Sequence, residues 1–66
     1  MSITVNGKQR DLGTDRSVAD LIRSLGYQDK RIAVERNGHI VPKSQHSSVE
    51  LANGDEIEIV VAVGGG

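Results

Sequence analysis

The chain of 66 residues contains no cysteine, so it can form neither a disulfide nor a thiolate metal site. That usage fits a reducing compartment. Phenylalanine and tryptophan are also missing, and Tyr27 is the single aromatic residue, so any core must be aliphatic. Proline occurs once, at Pro42. There is no excess of charge of either sign: eight Lys and Arg face nine Asp and Glu, interspersed along the chain. This gives no footprint for nucleic acid or for an anionic membrane. No apolar run is long enough to cross a bilayer, and no charged-then-apolar leader opens the sequence. The expectation is a soluble cytoplasmic domain. Its length places it near the lower limit of independent folding, with a net stability of about 3–5 kcal/mol.

What is present is well punctuated. Asn-Gly occurs at Asn6-Gly7, Asn37-Gly38 and Asn53-Gly54. The first two lie between strand-like runs, the strongest short-range signal for a hairpin. "ITV" at Ile3 to Val5 alternates, and "KQRDL" returns from the turn with Leu12 as its only apolar anchor. A two-residue turn sets Val5 opposite Lys8 and Ile3 opposite Arg10, with both basic stems lying over apolar surface at a sheet edge. "RSVADLIRSLG" places Val18, Leu21, Ile22 and Leu25 on one helical stripe. Ser17 suits the N-cap, Asp20 completes a variant of the capping box, and Gly26 stops the helix.

"RIAVERNGHIV" predicts a second hairpin with Val34 opposite Val41 and Arg36 opposite His39. Ile32, Val34 and Val41 then share a buried face, and Pro42 ends the strand. In "KSQHSSVEL", Ser44 is placed to cap one short turn, with Val49 and Leu51 tucked beneath the domain. After Asn53-Gly54-Asp55 the run "EIEIVVAV" puts Ile57, Ile59, Val61 and Val63 on one face. Glu56, Glu58, Val60 and Ala62 take the other. The last strand is the most apolar and should be central, parallel to the first through a right-handed crossover. Hairpin, helix, hairpin, turn and strand make an α+β roll of the β-grasp, ubiquitin-like type: a four- to five-stranded mixed sheet with one helix on one face. The domain is expected over residues 1–62, with a flexible glycine-rich tail at 63–66.

Few residues suggest chemistry. His39 and His46 have no second ligand at metal spacing. Glu56 and Glu58 beside Asp55 invite a cation site, but they simply fill outward positions of an alternating strand. There is no phosphate loop, and no serine stands in a nucleophile elbow. A domain this small rarely holds a ligand pocket as well as a core, so an enzyme is not expected.

The tail "AVGGG" is harder to dismiss, because glycine at a chain end buries nothing and costs most to order. Four stretches lead to a reading of it: "ITVNG" at Ile3 to Gly7, "SVADLI" at Ser17 to Ile22, "AVERNGHIVPKS" at Ala33 to Ser44, and "NGDEIEIVVAVGGG" at Asn53 to Gly66. With them the chain resembles, over nearly its whole length, the sulfur carrier family of thiamine (thiazole) biosynthesis. His46 departs from it, standing where that family often has an aromatic residue. The resemblance implies a protein co-substrate rather than an enzyme. A ubiquitin-activating-like adenylyltransferase would use ATP and Mg to adenylate the Gly66 carboxylate. Persulfide sulfur from a cysteine desulfurase would convert it to a thiocarboxylate, and thiazole synthase would take the sulfur. Gly64 and Gly65 would thread the partner's active site. The strand pattern itself adds a partner-binding surface: with the third strand antiparallel beside the last, Ala33 comes near the outward Val60 and Ala62, and these with Val63 are expected to meet the partner. A small subunit of molybdopterin synthase, a ubiquitin-like protein modifier and a non-catalytic β-grasp binding module are the alternatives.

Overall fold

The computed structural model describes residues 1–62. Two hairpins and a final strand build one sheet. Strands β1 (Ser2–Val5) and β2 (Lys8–Asp11) form the first hairpin, with Val5 facing Lys8 and Ile3 facing Arg10. Strands β3 (Ile32–Arg36) and β4 (His39–Val41) form the second, with Val34 facing Val41 and Arg36 facing His39. Both turns put two consecutive residues at positive φ: Asn6 at 50° and Gly7 at 83°, Asn37 at 52° and Gly38 at 85°. Turns of that kind match the twist of the flanking strands, which is why Asn-Gly specifies them. The last strand, β5 (Glu56–Val61), lies in the middle of the order β2-β1-β5-β3-β4. It runs parallel to β1 and antiparallel to β3. The predicted β-grasp topology and register are therefore those of the structure, with five strands.

The helix α1 (Val18–Ser24) is only two turns long, and its ends are closed by side chains and glycine. The Ser17 hydroxyl accepts from the Asp20 N–H at 3.1 Å, and the Asp20 carboxylate accepts from the Ser17 N–H at 3.1 Å. The N–H groups of Val18 and Ala19 donate to the carbonyls of Val49 and His46. At the other end Gly26 has φ +79°, Gly26 donates to the Arg23 carbonyl, and Tyr27 donates to that of Ile22. That pair of bonds is a Schellman stop, which needs a residue free to take the left-handed conformation.

Ile3, Val18, Leu21, Val34 and Ile57 are essentially inaccessible, and Leu12, Ile22, Val41, Leu51 and Ile59 complete the core. Val5, Leu25, Tyr27, Ile32 and Val49 pack against its rim. The core is aliphatic and lies between α1 and the sheet. Ser44 does not cap a turn. The 3-10 turn Lys43–Gln45 contains it, Pro42 occupies the N-cap position, and no side chain closes that end. The reason is the order of residues: proline's fixed φ already sets the chain for the turn at Pro42, two positions before Ser44, which lies inside the turn.

Candidate functional site

The chain leaves the described residues at the end of β5, and three polar devices hold that strand. The first is Asn6. The parallel ladder runs from Thr4 N to Asp55 O and from Asn6 N to Ile57 O, each at 2.9 Å. The β1 backbone then turns away, and the Asn6 side chain supplies the next rung. Its Oδ1 accepts from the Ile59 N–H at 2.7 Å, and its Nδ2 donates to the Ile59 carbonyl at 3.1 Å.

The second is Asn37 on the opposite flank, whose Oδ1 accepts from the Glu56 N–H at 2.9 Å while its N–H donates to the Glu56 carbonyl. The third is the carboxylate of Asp55, which is buried. It accepts from Arg36 Nε at 2.8 Å, from the Ala52 N–H at 2.8 Å and from Asn37 Nδ2 at 3.1 Å. Burial works to raise its pKa. The Arg36 guanidinium, the Ala52 amide and the Asn37 amide outweigh burial and hold the group below the ordinary carboxylate value.

The solvent face of the sheet changes character along β5. Toward its start Glu56 and Glu58 are exposed, and Glu58 lies directly across from Glu35. Toward its end Val60 is 63% exposed and faces the exposed Ala33 in register. Ala62, also exposed, follows the strand, and its N–H donates to the Arg31 carbonyl at 2.8 Å. Sequence reasoning placed Ala33, Val60 and Ala62 together, and the structure does the same. Val63, Gly64, Gly65 and Gly66 lie outside the described residues.

Ile40 was missed. It is 63% exposed and stands next to Glu35 on the same face. The signal was available, since an inward Val41 forces Ile40 outward. The network around Asp55 was missed as well. Asp55 and Glu56 point to opposite sides of the sheet, so the acidic run is not a cluster. Among the described residues no group of three or more His, Cys, Asp or Glu is placed to hold a metal ion. His39 is exposed, and the half-buried His46 lies with Nε2 3.2 Å from the Val41 carbonyl. A carbonyl only accepts, so Nε2 carries the proton there. No helix among the described residues is long and apolar enough to cross a membrane.

A mixed sheet of this order, crossed by one helix and centred on its last strand, defines a ubiquitin-like β-grasp domain. The chain belongs to the ThiS family, whose model matches residues 3–66. It is 41% identical over 68 residues to the sulfur carrier protein ThiS of Bacillus subtilis, covering 97% of this chain and 98% of that protein. It is also 41% identical over 66 residues to a thiazole synthase of Paramagnetospirillum magneticum. The match takes in all of this chain but only 20% of that relative, and the same share of a second thiazole synthase from Magnetococcus marinus. Among solved structures, the thiamine biosynthesis protein (ThiS) of Geobacter metallireducens superimposes with a TM-score of 0.82 at 30% identity, with full coverage of both chains.

Proposed function

We propose that this protein is a sulfur carrier that supplies the sulfur of the thiamine thiazole ring from a thiocarboxylate on Gly66. The near end-to-end match with the Bacillus subtilis sulfur carrier carries the reading. The match with part of two thiazole synthases supports thiazole synthase as the acceptor, since there a segment like this chain shares one polypeptide with that enzyme.

The chemistry suits the residues. A carboxylate is a poor acyl donor until its oxygen attacks the α-phosphorus of ATP and pyrophosphate leaves. The acyl-adenylate then has AMP as its leaving group. Attack by the terminal sulfur of a persulfide expels AMP, and a thiol reduces the resulting acyl disulfide to the thiocarboxylate. Glycine leaves the acyl carbon unhindered, and Gly64 and Gly65 can take backbone conformations that fit a narrow channel. ATP and Mg belong to the adenylyltransferase partner, and the persulfide to a cysteine desulfurase, all in the cytoplasm. The domain itself is co-substrate and performs no step. Val60, flanked by Ala33 and Ala62, is the anchor by which partners grip it beside the tail. Apolar patches close to a reactive end are suited to that task.

Intact mass spectrometry tests this. Incubation with the adenylyltransferase, ATP, Mg and a persulfide source should raise the mass by the difference between one sulfur and one oxygen. Deleting Gly66 should abolish that gain and the accompanying release of pyrophosphate while leaving the melting temperature unchanged. Undiminished pyrophosphate release from the deletion variant would refute the assignment.

A further inference from the structure

The charges of this nearly neutral chain are not evenly spread. Outward positions on the strands hold Asp11, Glu35, Glu56 and Glu58 and no lysine or arginine. Four of the eight basic residues, Arg23, Lys30, Arg31 and Lys43, instead border two adjoining depressions on the helix side. The first has a volume of about 180 Å³, with Ile22, Tyr27 and Ile32 as its apolar lining and Lys30, Arg31, Lys43 and His46 around them. The second shares Ile22, Lys43 and His46 with it and adds Arg23. Among the described residues no carboxylate lines either one. Asp29 belongs to the same loop as Lys30 but does not line the groove. Arg23 pairs with Asp20 at 3.5 Å, whereas Lys30, Arg31 and Lys43 have no ion pair among the described residues.

The groove also has a telling position. Ala62 donates to the Arg31 carbonyl, and Ile32 faces Val61, so the depression opens where β5 ends. The described residues therefore end, at Ala62, between the Val60 patch on one side and this cationic groove on the other.

We propose that the groove seats an acidic segment of the protein that adenylates the tail. One apolar side chain enters the pocket, and flanking carboxylates meet Lys30, Arg31 and Lys43. A cavity of about 150 Å³ accepts a benzene ring, so the pocket admits one such side chain. A phosphate group fits less well. The first N–H groups of α1, the natural anion donors, are taken by the Val49 and His46 carbonyls and by the Ser17 hydroxyl. What remains is three separated cations around an apolar floor, the complement of an extended acidic chain with an apolar residue in it. The cations should also steer the encounter, since charges near an interface act mainly on association and specificity.

This inference rests on the carrier reading, and the experiment separates the two. Titration calorimetry without ATP would compare the full-length wild type with Arg31→Glu/Lys43→Glu for binding to the adenylyltransferase. Lys8→Glu, in β2 and away from the groove, is the control, and circular dichroism confirms folding. The double variant should bind at least tenfold more weakly and lose most of the salt dependence of the wild type. Lys43→Arg and Lys8→Glu should bind as the wild type does. Pyrophosphate release by the wild type is followed in parallel with ATP present. If it is absent, the carrier reading falls, and the partner assigned to the groove with it. If it occurs and the folded double variant binds unchanged, the groove proposal alone is overturned. Binding of ATP to the free chain that is lost in the double variant would replace the acidic segment with a nucleotide and overturn the proposal as well.

Discussion

Replacing Asp55 with asparagine keeps the shape of the side chain and removes its charge. Both carboxylate oxygens of Asp55 face donors only: Arg36 Nε and the Ala52 N–H on one, Asn37 Nδ2 and Arg36 Nη2 on the other. An amide must turn its NH₂ toward one of these pairs, so one oxygen's bonds become donor against donor. The surviving bond to Arg36 loses its charge on the acceptor side. Hydrogen bonds to charged groups contribute about 1.5–3 kcal/mol, and leaving buried donors unmatched adds to the loss. We expect Asp55→Asn to cost about 3 kcal/mol, most of the roughly 3–5 kcal/mol that a domain of this size has. The melting temperature should fall by roughly 10–25 °C, at about 4–8 °C per kcal/mol. Urea unfolding followed by circular dichroism at neutral pH measures it.

The pH dependence of this effect has a definite sign. The folded-state pKa of Asp55 lies below its unfolded value of about 3.9. Its contribution is therefore complete above that value and is lost as pH falls through the folded pKa. The gap between wild type and variant should be widest near neutrality and should close in acid below about pH 4. A cycle with Arg36→Met would give the coupling of the pair directly. A loss within about 0.5 kcal/mol, the range of an ordinary surface substitution, would refute the account.

Ser17→Ala should lower stability by about 1 kcal/mol through loss of the cap, with sulfur transfer per folded molecule unchanged. A fall in transfer at unaltered stability would place Ser17 in an interface instead. Asn6→Gly keeps the positive φ of the turn but strips Ile59 of two bonds, and should cost about 1–2 kcal/mol in urea unfolding. Val60→Lys should leave the fold intact, since the side chain points to solvent. It should raise the KM of the adenylyltransferase for this protein by roughly tenfold, about 1.4 kcal/mol. An unchanged KM in the folded variant would remove Val60 from the docking surface.

Much of the architecture can be read from the sequence because its local signals agree. Both Asn-Gly turns set a two-residue register, so Val5–Lys8 and Val34–Val41 follow from counting. The alternation of β5 and the helical stripe from Val18 then leave one sensible packing. The outward Val60 and Ala33 were legible for the same reason. What escaped was polar and long-range. Nothing local says that Asn6 bonds to Ile59, 53 residues on, or that Asp55 turns inward to Arg36 while Glu56 turns out. Those pairings exist only once the sheet has formed. Ser44 was misread because a serine caps a turn only from the N-cap position, and Pro42, two residues earlier, fills it.

The placement of β5 has a mechanical side. A pull on Ala62 directed along β5 runs along the axis of the central strand. It loads the ladders to β1 and β3, together with the amide rungs of Asn6 and Asn37, in shear rather than in peel. Under shear many bonds share the force at once, and a central strand is held by two ladders where an edge strand has one. For the carrier role proposed above, the domain behind Ala62 would then serve as a rigid handle against any pull from a partner.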